Sequence, residues 1–242
     1  MILLLGETAA ARELSGELSR RGFQVIREFS LNDGSGEPGM AVVAVIDAAH
    51  PSSSVQFSPL RRWCEEQGVP YMRLERPETV VPDNPLVHAV YTWEEALTTL
   101  QQRVGDIRKR KGHLPTVFIT TGSHQLETVV HSPLGKAARL VVRVLPEGRL
   151  VQKCQDMGIP SRDIVAIQGP FSKELNRILF KSYGADIVFS RDSGPAGGTD
   201  TKIAAAMALH IDVVLLKRPR VTGGLACSSV PEVLAWMDTA FH

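Results

Sequence analysis

Short apolar runs alternate with amphipathic stretches along most of the chain, and that rhythm predicts an α/β protein built on parallel sheets. The run Ile2–Leu5 stops at Gly6, as a buried strand would. Thr8 is placed to cap the helix that follows, Leu14 and Leu18 fall on one face of it, and Gly22 ends it. Residues 23–27 read as a second strand and residues 32–39 as a glycine-rich turn region. Residues 41–46 are apolar without alternation, the pattern of a central strand covered on both faces. A helix over 59–67, a strand at Tyr71–Leu74 and another over 86–91 follow. Thr92 and Glu95 form a capping box for a helix over 93–103.

The basic run Arg108-Lys109-Arg110-Lys111 then interrupts the pattern. No aromatic residue interleaves it, so it reads as a solvated linker over 104–115 rather than as a nucleic-acid patch. Beyond it the rhythm is cleaner, with strands over 116–120, 140–144, 163–167, 186–190 and Asp212–Leu216. The helices between them read near 124–130, 147–157, 172–183 and 200–209. The expected organisation is a domain over 1–108 and a second over 109–242, with a last helix, Val230–Phe241, able to pack on either. Open α/β sheets bind ligands at the carboxyl ends of their strands, and two facing domains make a cleft.

Composition narrows the partners. Apolar residues are 43% and charged residues 22%, as in ordinary globular proteins, and net charge is only +1. No global field would hold the chain to nucleic acid or to a membrane surface. Residues 1–110 hold 12 basic and 15 acidic groups, and residues 111–242 hold 15 and 11, so an anionic ligand would lean on the second half. Cys64, Cys154 and Cys227 are odd in number and widely spaced, as free thiols would be. The apolar start lacks the marks of a signal peptide, and no run is long enough to span a bilayer. A cytoplasmic location is the expectation.

The candidate chemistry lies in five loops that leave strand ends. Gly6-Glu7-Thr8 sits where a dinucleotide fingerprint would, with one glycine in place of three. Residues 47–51 follow the central strand, and His50 stands at its tip before a proline, where a hydrogen-bonding structural role is as open as a catalytic one. Thr121-Gly122-Ser123 offers amides and hydroxyls at a helix N-terminus, a geometry suited to an anion. Gln168-Gly169-Pro170-Phe171-Ser172 is the fourth. The fifth, over 191–202, carries Ser193, Gly194, Gly197 and Gly198 and ends at Lys202, in the first turn of the next helix. A cation is electrostatically ill placed there unless it meets an anion. There is no Walker A order, no GxSxG and no metal-ligand spacing.

Taken together, these loops resemble one family, the precorrin-6A and cobalt-precorrin-6A reductases of cobalamin biosynthesis. The resemblance runs through Ile2–Leu5 with Gly6 and Thr8, Asp47-Ala48 with His50-Pro51, and the stretch from Tyr71 to Pro77. It continues through Thr120-Thr121-Gly122-Ser123, Val142-Arg143-Val144-Leu145-Pro146, and Gln168 to Ser172 with Glu174-Leu175-Asn176. Asp192-Ser193-Gly194, Gly197-Gly198, Lys202, Ala204-Ala205 and Arg218-Pro219 complete it. It implies two Rossmann-like domains with parallel sheets and an interdomain cleft, and reduction of one carbon–carbon double bond of an anionic tetrapyrrole. NADPH, or NADH in some members, supplies the hydride. His50, Asp47 and Lys202 become candidate catalytic residues. Gly6, Thr8, Thr121, Gly122, Ser123, Ser193, Gly194, Gly197 and Gly198 become candidate cofactor contacts. Gln168, Pro170, Ser172, Arg191 and Arg218 become candidate substrate contacts, with Arg73 and Arg76 as further cations at strand ends.

The chain departs from the family pattern at Glu7, Ala49, Ser52, His124 and Arg191, and its segment between Arg27 and Met40 is short. Glu7 would repel a phosphate, and Arg27-Glu28 offers either a 2′-phosphate or a ribose-hydroxyl partner. The rival expectations are a two-domain protein that holds a tetrapyrrole or nucleotide without turnover, and a glycosyltransferase-like nucleotide-sugar enzyme.

Overall fold

The computed structural model describes residues 1–27, 41–49, 57–75, 78–123, 125–169, 171–218 and 225–241. The turn region over 32–39, His50, Arg76, His124 and Pro170 lie outside them. The chain forms two compact units, one of residues 1–77 with 219–242, the other of residues 78–218.

The first unit opens with β1 (Ile2–Leu5), α1 (Ala9–Arg20), β2 (Val25–Ile26), β3 (Ala44–Asp47), α2 (Ser58–Gln67) and β4 (Tyr71–Leu74). Every residue of β1 and β3 is buried, as a continuous apolar run requires. The two faces of β1 meet different helices: Ile2 and Leu4 pack with Leu14 and Leu18 of α1, Leu3 and Leu5 with Leu60 and Cys64 of α2. Thr8 caps α1, its hydroxyl accepting from the Ala11 amide at 3.1 Å.

The second unit begins with β5 (Val87–Val90) and α3 (Trp93–Lys111). β6 (Thr116–Ile119), α4 (Leu126–His131), α5 (Pro133–Ala137), β7 (Arg139–Val144), α6 (Gly148–Asp156) and β8 (Ile164–Ala166) follow. α7 (Lys173–Ser182), β9 (Ile187–Arg191), α8 (Thr199–Met207) and β10 (Asp212–Leu216) complete it. The chain then returns to the first unit as β11 (Leu225–Cys227) and α9 (Val230–Phe241).

Among the described residues both sheets are parallel, in the orders β11-β4-β3-β1-β2 and β5-β10-β9-β6-β7-β8. The division differs from the boundary at residues 108/109 expected from sequence. β5 pairs with β10, Val87 opposite Val213, so it and α3 belong to the second unit. β11 pairs with β4, and α9 packs on β4, β11 and α1, bringing Val233, Leu234 and Met237 into the same core as Ile2, Leu4 and Ile46.

The expected linker over 104–115 is instead largely helix. Ala96, Leu100, Val104 and Ile107 continue one buried stripe, and α3 ends only at Gly112, in the left-handed region at φ 72°. The four basic residues occupy its last turn, where cations suit the helix dipole, and Lys111 Nζ meets Asp186 at 2.6 Å. No described helix is long and apolar enough to cross a membrane.

Candidate functional site

Each sheet has one point where strand order reverses. β1 lies between β2 and β3, and β6 lies between β7 and β9. The loops leaving β1, β3, β6 and β9 therefore flank the crevices where such sheets take ligands.

In the first unit this crevice is drawn tight. Gly6 sits at φ +103°, and a Cβ there would lie 2.5 Å from Ala49 Cα. Thr8 Oγ1 donates to the Ala48 carbonyl at 2.8 Å. Asp47 is fully buried: it accepts from Arg73 Nη1 at 2.7 Å, the Tyr71 hydroxyl at 2.8 Å and the Ala49 amide at 3.0 Å. Three donors on one carboxylate make it an anchor for the turn after β3. Burial first, then the Asp47 charge, pushes the Tyr71 hydroxyl's pKa upward. Arg27, just past β2, reaches the Gly6 carbonyl at 3.4 Å and Glu7 at 3.2 Å. The Glu7 carboxylate is thus paired rather than alone beside the loop. Arg27 Nε is buried without a hydrogen bond among the described residues.

In the second unit, Thr121, Gly122 and Ser123 follow β6, all partly buried, with Gly122 at φ +76°. Thr121 Oγ1 is a buried atom with no hydrogen-bond partner among the described residues. A hydroxyl left in that state fits a site completed by a polar ligand. The loop after β9 behaves otherwise. Its Gly194, Gly197 and Gly198 amides are bonded to Asp192, Gly194 and Pro195, so they do not form an open phosphate cradle. The Ser193 hydroxyl turns inward to the Gly197 carbonyl and Thr199 Oγ1, both at 3.0 Å. A Cβ on Gly197 would lie 2.2 Å from that hydroxyl. The glycines let this loop close on itself.

Asp192 pins the loop down. Its buried carboxylate accepts from Lys217 Nζ at 2.6 Å, the Thr79 hydroxyl at 2.8 Å and the Gly194 amide at 2.9 Å. Burial pushes its pKa up, but Lys217, Gly194 and Thr79 together outweigh that and hold it below the usual carboxylate value. Arg218 Nε donates to the Asp192 carbonyl at 3.0 Å, which ties this expected substrate contact to the loop backbone.

The most unusual feature is a polar row at the carboxyl end of the sheet, on the face covered by α7 and α8. Ile119 aligns with Val142 of β7 and with Phe189 of β9, so Thr120, Arg143 and Ser190 come next in register on one level. Lys202, in the first turn of α8, reaches Ser190 Oγ at 3.5 Å. Burial, then the nearby Arg143 charge, lowers the Lys202 pKa to about 8. Burial lowers that of Arg143 to about 10. Arg143 Nη1 donates to Asn176 Oδ1 at 2.9 Å, and its guanidinium lies 4.4 Å from the Phe171 ring centre. Burial also lowers the pKa of Arg191, which is partly buried.

Lys202 thus stands where the sequence put it. The loop after β8 contributes differently from expectation. Gln168 is exposed, Ser172 caps α7 by accepting from the Leu175 amide at 3.2 Å, and Phe171 supplies the platform under Arg143. Sequence reasoning gave Arg143 and Asn176 no role of their own. The available signal was one charge inside the apolar run Leu140-Val141-Val142-Arg143-Val144. No group of three or more potential metal ligands occurs among the described residues.

Comparison with known proteins bears on the family and the fold. The family model described as Precorrin-6x reductase CbiJ/CobK matches residues 39–238. A protein of Priestia megaterium named cobalt-precorrin-6A reductase is 31% identical over 260 residues, covering 97% of this chain and 96% of the relative. One from Methanothermobacter thermautotrophicus with the same name is 34% identical over 218 residues, covering 90% of this chain and 65% of the relative. A solved structure titled CobK precorrin-6A reductase shares the fold at a TM-score of 0.74 and 22% identity, covering 98% of this chain and 96% of that one.

Proposed function

The chain belongs to the precorrin-6x reductase family, and on that premise we propose that it reduces one carbon–carbon double bond of precorrin-6A or its cobalt form. The reaction makes this protein an oxidoreductase that draws on a nicotinamide cofactor. When bound, that cofactor supplies the hydride, while the protein supplies position, field and the accompanying proton.

The observation that carries the reading is the pair of buried cations, Lys202 and Arg143, at the carboxyl end of the second sheet. A polycarboxylate macrocycle is the kind of ligand such a site holds. Lys202 Nζ, with a pKa near 8, is matched to keep and release a proton near neutrality, and it is the catalytic group of this proposal. Thr121 Oγ1 offers a hydrogen bond to a polar group of a ligand at the same crevice. Asp47 orders its loop through Arg73 and Tyr71. In the first unit, Arg27 follows β2, the place where a Rossmann-type fold reads the adenosine ribose, and its Nε has no partner among the described residues. That favours NADPH over NADH.

The test is anaerobic incubation of the purified protein with precorrin-6A or cobalt-precorrin-6A and each nucleotide, following nucleotide absorbance. The expected result is consumption that depends on the macrocycle and is faster with NADPH. Spectral change of the macrocycle with no nucleotide consumed would replace the reductase with the non-catalytic binder.

A further inference from the structure

Arg143 has no part in hydride or proton transfer as set out above, yet the fold keeps its charge under difficult conditions. It is only 7% exposed. Among the described residues it makes no ion pair, and the hydrogen bond it does make goes to a neutral amide, Asn176. The charge that acts on its neighbour Lys202 has the same sign, and each disfavours the other. Asp192 and Asp200 offset part of the Lys202 charge, but among the described residues no carboxylate pairs with Arg143, and an apolar side chain of similar volume would fill the position on β7 without that desolvation cost. A buried charge in this state is accounted for by a counter-charge that arrives with a ligand.

The surroundings aim the guanidinium before anything binds. Asn176 is fully buried, and its amide nitrogen donates to the Ser172 carbonyl at 3.0 Å and the Phe171 carbonyl at 3.4 Å. Those two acceptors fix which way the amide points, leaving Oδ1 toward Arg143. Thr201 Oγ1, beside Lys202 in α8, lies 3.4 Å from the same nitrogen and donates to the Phe171 carbonyl at 3.1 Å, so α7, α8 and the loop after β8 are joined at this point. Phe171 covers one face of the guanidinium, and the ring can lie there because residue 169 is glycine: a Cβ would come within 2.9 Å of it. One nitrogen is held, one face is stacked, and the remaining N–H groups form a fork of fixed direction. Such a fork suits the two oxygens of a carboxylate or phosphate and is poorly replaced by lysine.

We propose that Arg143, set by Asn176 and Phe171 and assisted by the Lys202 charge, is the receptor for a single oxyanion group, a carboxylate or a phosphate, of a ligand at the carboxyl end of the second sheet. The existence of the site stands on the geometry. Only the identity of the group it takes rests on the reductase reading, which offers a side-chain carboxylate of the macrocycle or a phosphate of the cofactor.

The first experiment needs no turnover. The arginine Nε–H signal that Arg143→Lys removes is followed by NMR as wild-type protein is titrated with inorganic phosphate and, separately, with propionate. The expected result is a saturable shift of that signal with at least one of the anions, with affinity weakened about tenfold in Asn176→Leu. A shift that never saturates and matches that of the exposed Arg162 means an adventitious ion only and overturns the proposal. The second experiment names the source. Displacement of the bound anion by NADP⁺ assigns the site to a cofactor phosphate. A KM for the macrocycle raised about tenfold in Arg143→Lys, with a smaller change in kcat and NADP⁺ affinity intact, assigns it to a substrate carboxylate. In an enzyme that turns over, the absence of both effects overturns the receptor role. Saturable anion binding in a protein that turns over nothing would remove the reductase reading and leave the site standing.

Discussion

Replacing Lys217 with methionine should destabilise the second unit strongly, because it strands a buried carboxylate. Lys217 is 7% exposed, and its ammonium contacts Asp192 Oδ2 at 2.6 Å, Glu78 Oε2 at 3.0 Å and the Thr79 carbonyl at 3.1 Å. Methionine keeps most of the stem's packing but leaves the fully buried Asp192 side chain with neutral donors alone, from Thr79 and Gly194. Removing one partner of a buried ion pair costs about 3–5 kcal/mol, and the surviving donors place this case near about 3 kcal/mol. At about 2–4 °C per kcal/mol, the melting transition should fall by about 6–12 °C. Urea unfolding followed by circular dichroism supplies the free energy. The double variant Lys217→Met with Asp192→Asn, which leaves no charge buried, should recover about 2 kcal/mol relative to additivity. The pH dependence carries the same sign. Asp192 is held below its unfolded pKa, so its contribution is whole above the ordinary carboxylate range and is lost as pH falls through the depressed value. Lys217 is shifted up: burial opposes its charge, and Asp192 and Glu78 outweigh that, so its contribution is lost only as pH rises through the elevated value. The deficit of the variant should therefore be full near neutral pH and shrink as pH falls through the depressed Asp192 value, where the buried carboxyl is neutral in both proteins. A loss below about 1 kcal/mol, the range of exposed pairs, would refute the reasoning.

How much of this was legible in the sequence depends on how local the deciding contact is. β1 declared itself as an uninterrupted apolar run, and β10 (Asp212–Leu216) and the final helix, Val230–Phe241, have the bounds read from sequence. The end of α3 was misread because four consecutive charges look like a linker, whereas Val104 and Ile107 continue the buried stripe beneath them. Which sheet a strand joins is a long-range property. Residues 87–90 look equally strand-like beside β4 or beside β10, and only the pairing decides. β11 escaped notice because it is a short edge strand whose Leu225 is 53% exposed, so it forms no apolar run. Among the candidate residues, Lys202 stands out in the sequence because a cation in the first turn of a helix conflicts with the dipole, and the structure does put it in the first turn of α8. The glycines at 194, 197 and 198 are candidate cofactor contacts from the resemblance, but their amides turn to partners within the loop. Arg143 and Asn176 were hidden for a different reason. They are far apart in sequence, and each alone looks like a minor exception in an otherwise ordinary strand or helix.

Two further substitutions separate structure from ligand binding. Gly6→Ala places a Cβ against backbone, 2.5 Å from Ala49 Cα, at a φ of +103° that alanine resists. It should cost about 3 kcal/mol by urea unfolding, and a loss under about 1 kcal/mol would show that the turn after β1 can move aside. Arg27→Gln tests cofactor choice. The arginine already pairs with Glu7 at 3.2 Å and keeps a buried Nε without a partner among the described residues, so its removal both leaves a carboxylate unpaired beside the loop and takes away a donor for a 2′-phosphate. Both effects act against NADPH, whereas only the first touches NADH. The ratio of dissociation constants should therefore shift toward NADH by about tenfold, the scale of one charge-assisted hydrogen bond. Equal weakening of the two nucleotides would mean that Arg27 shapes the Gly6 turn without reading the ribose, and NADPH selectivity would then need another source.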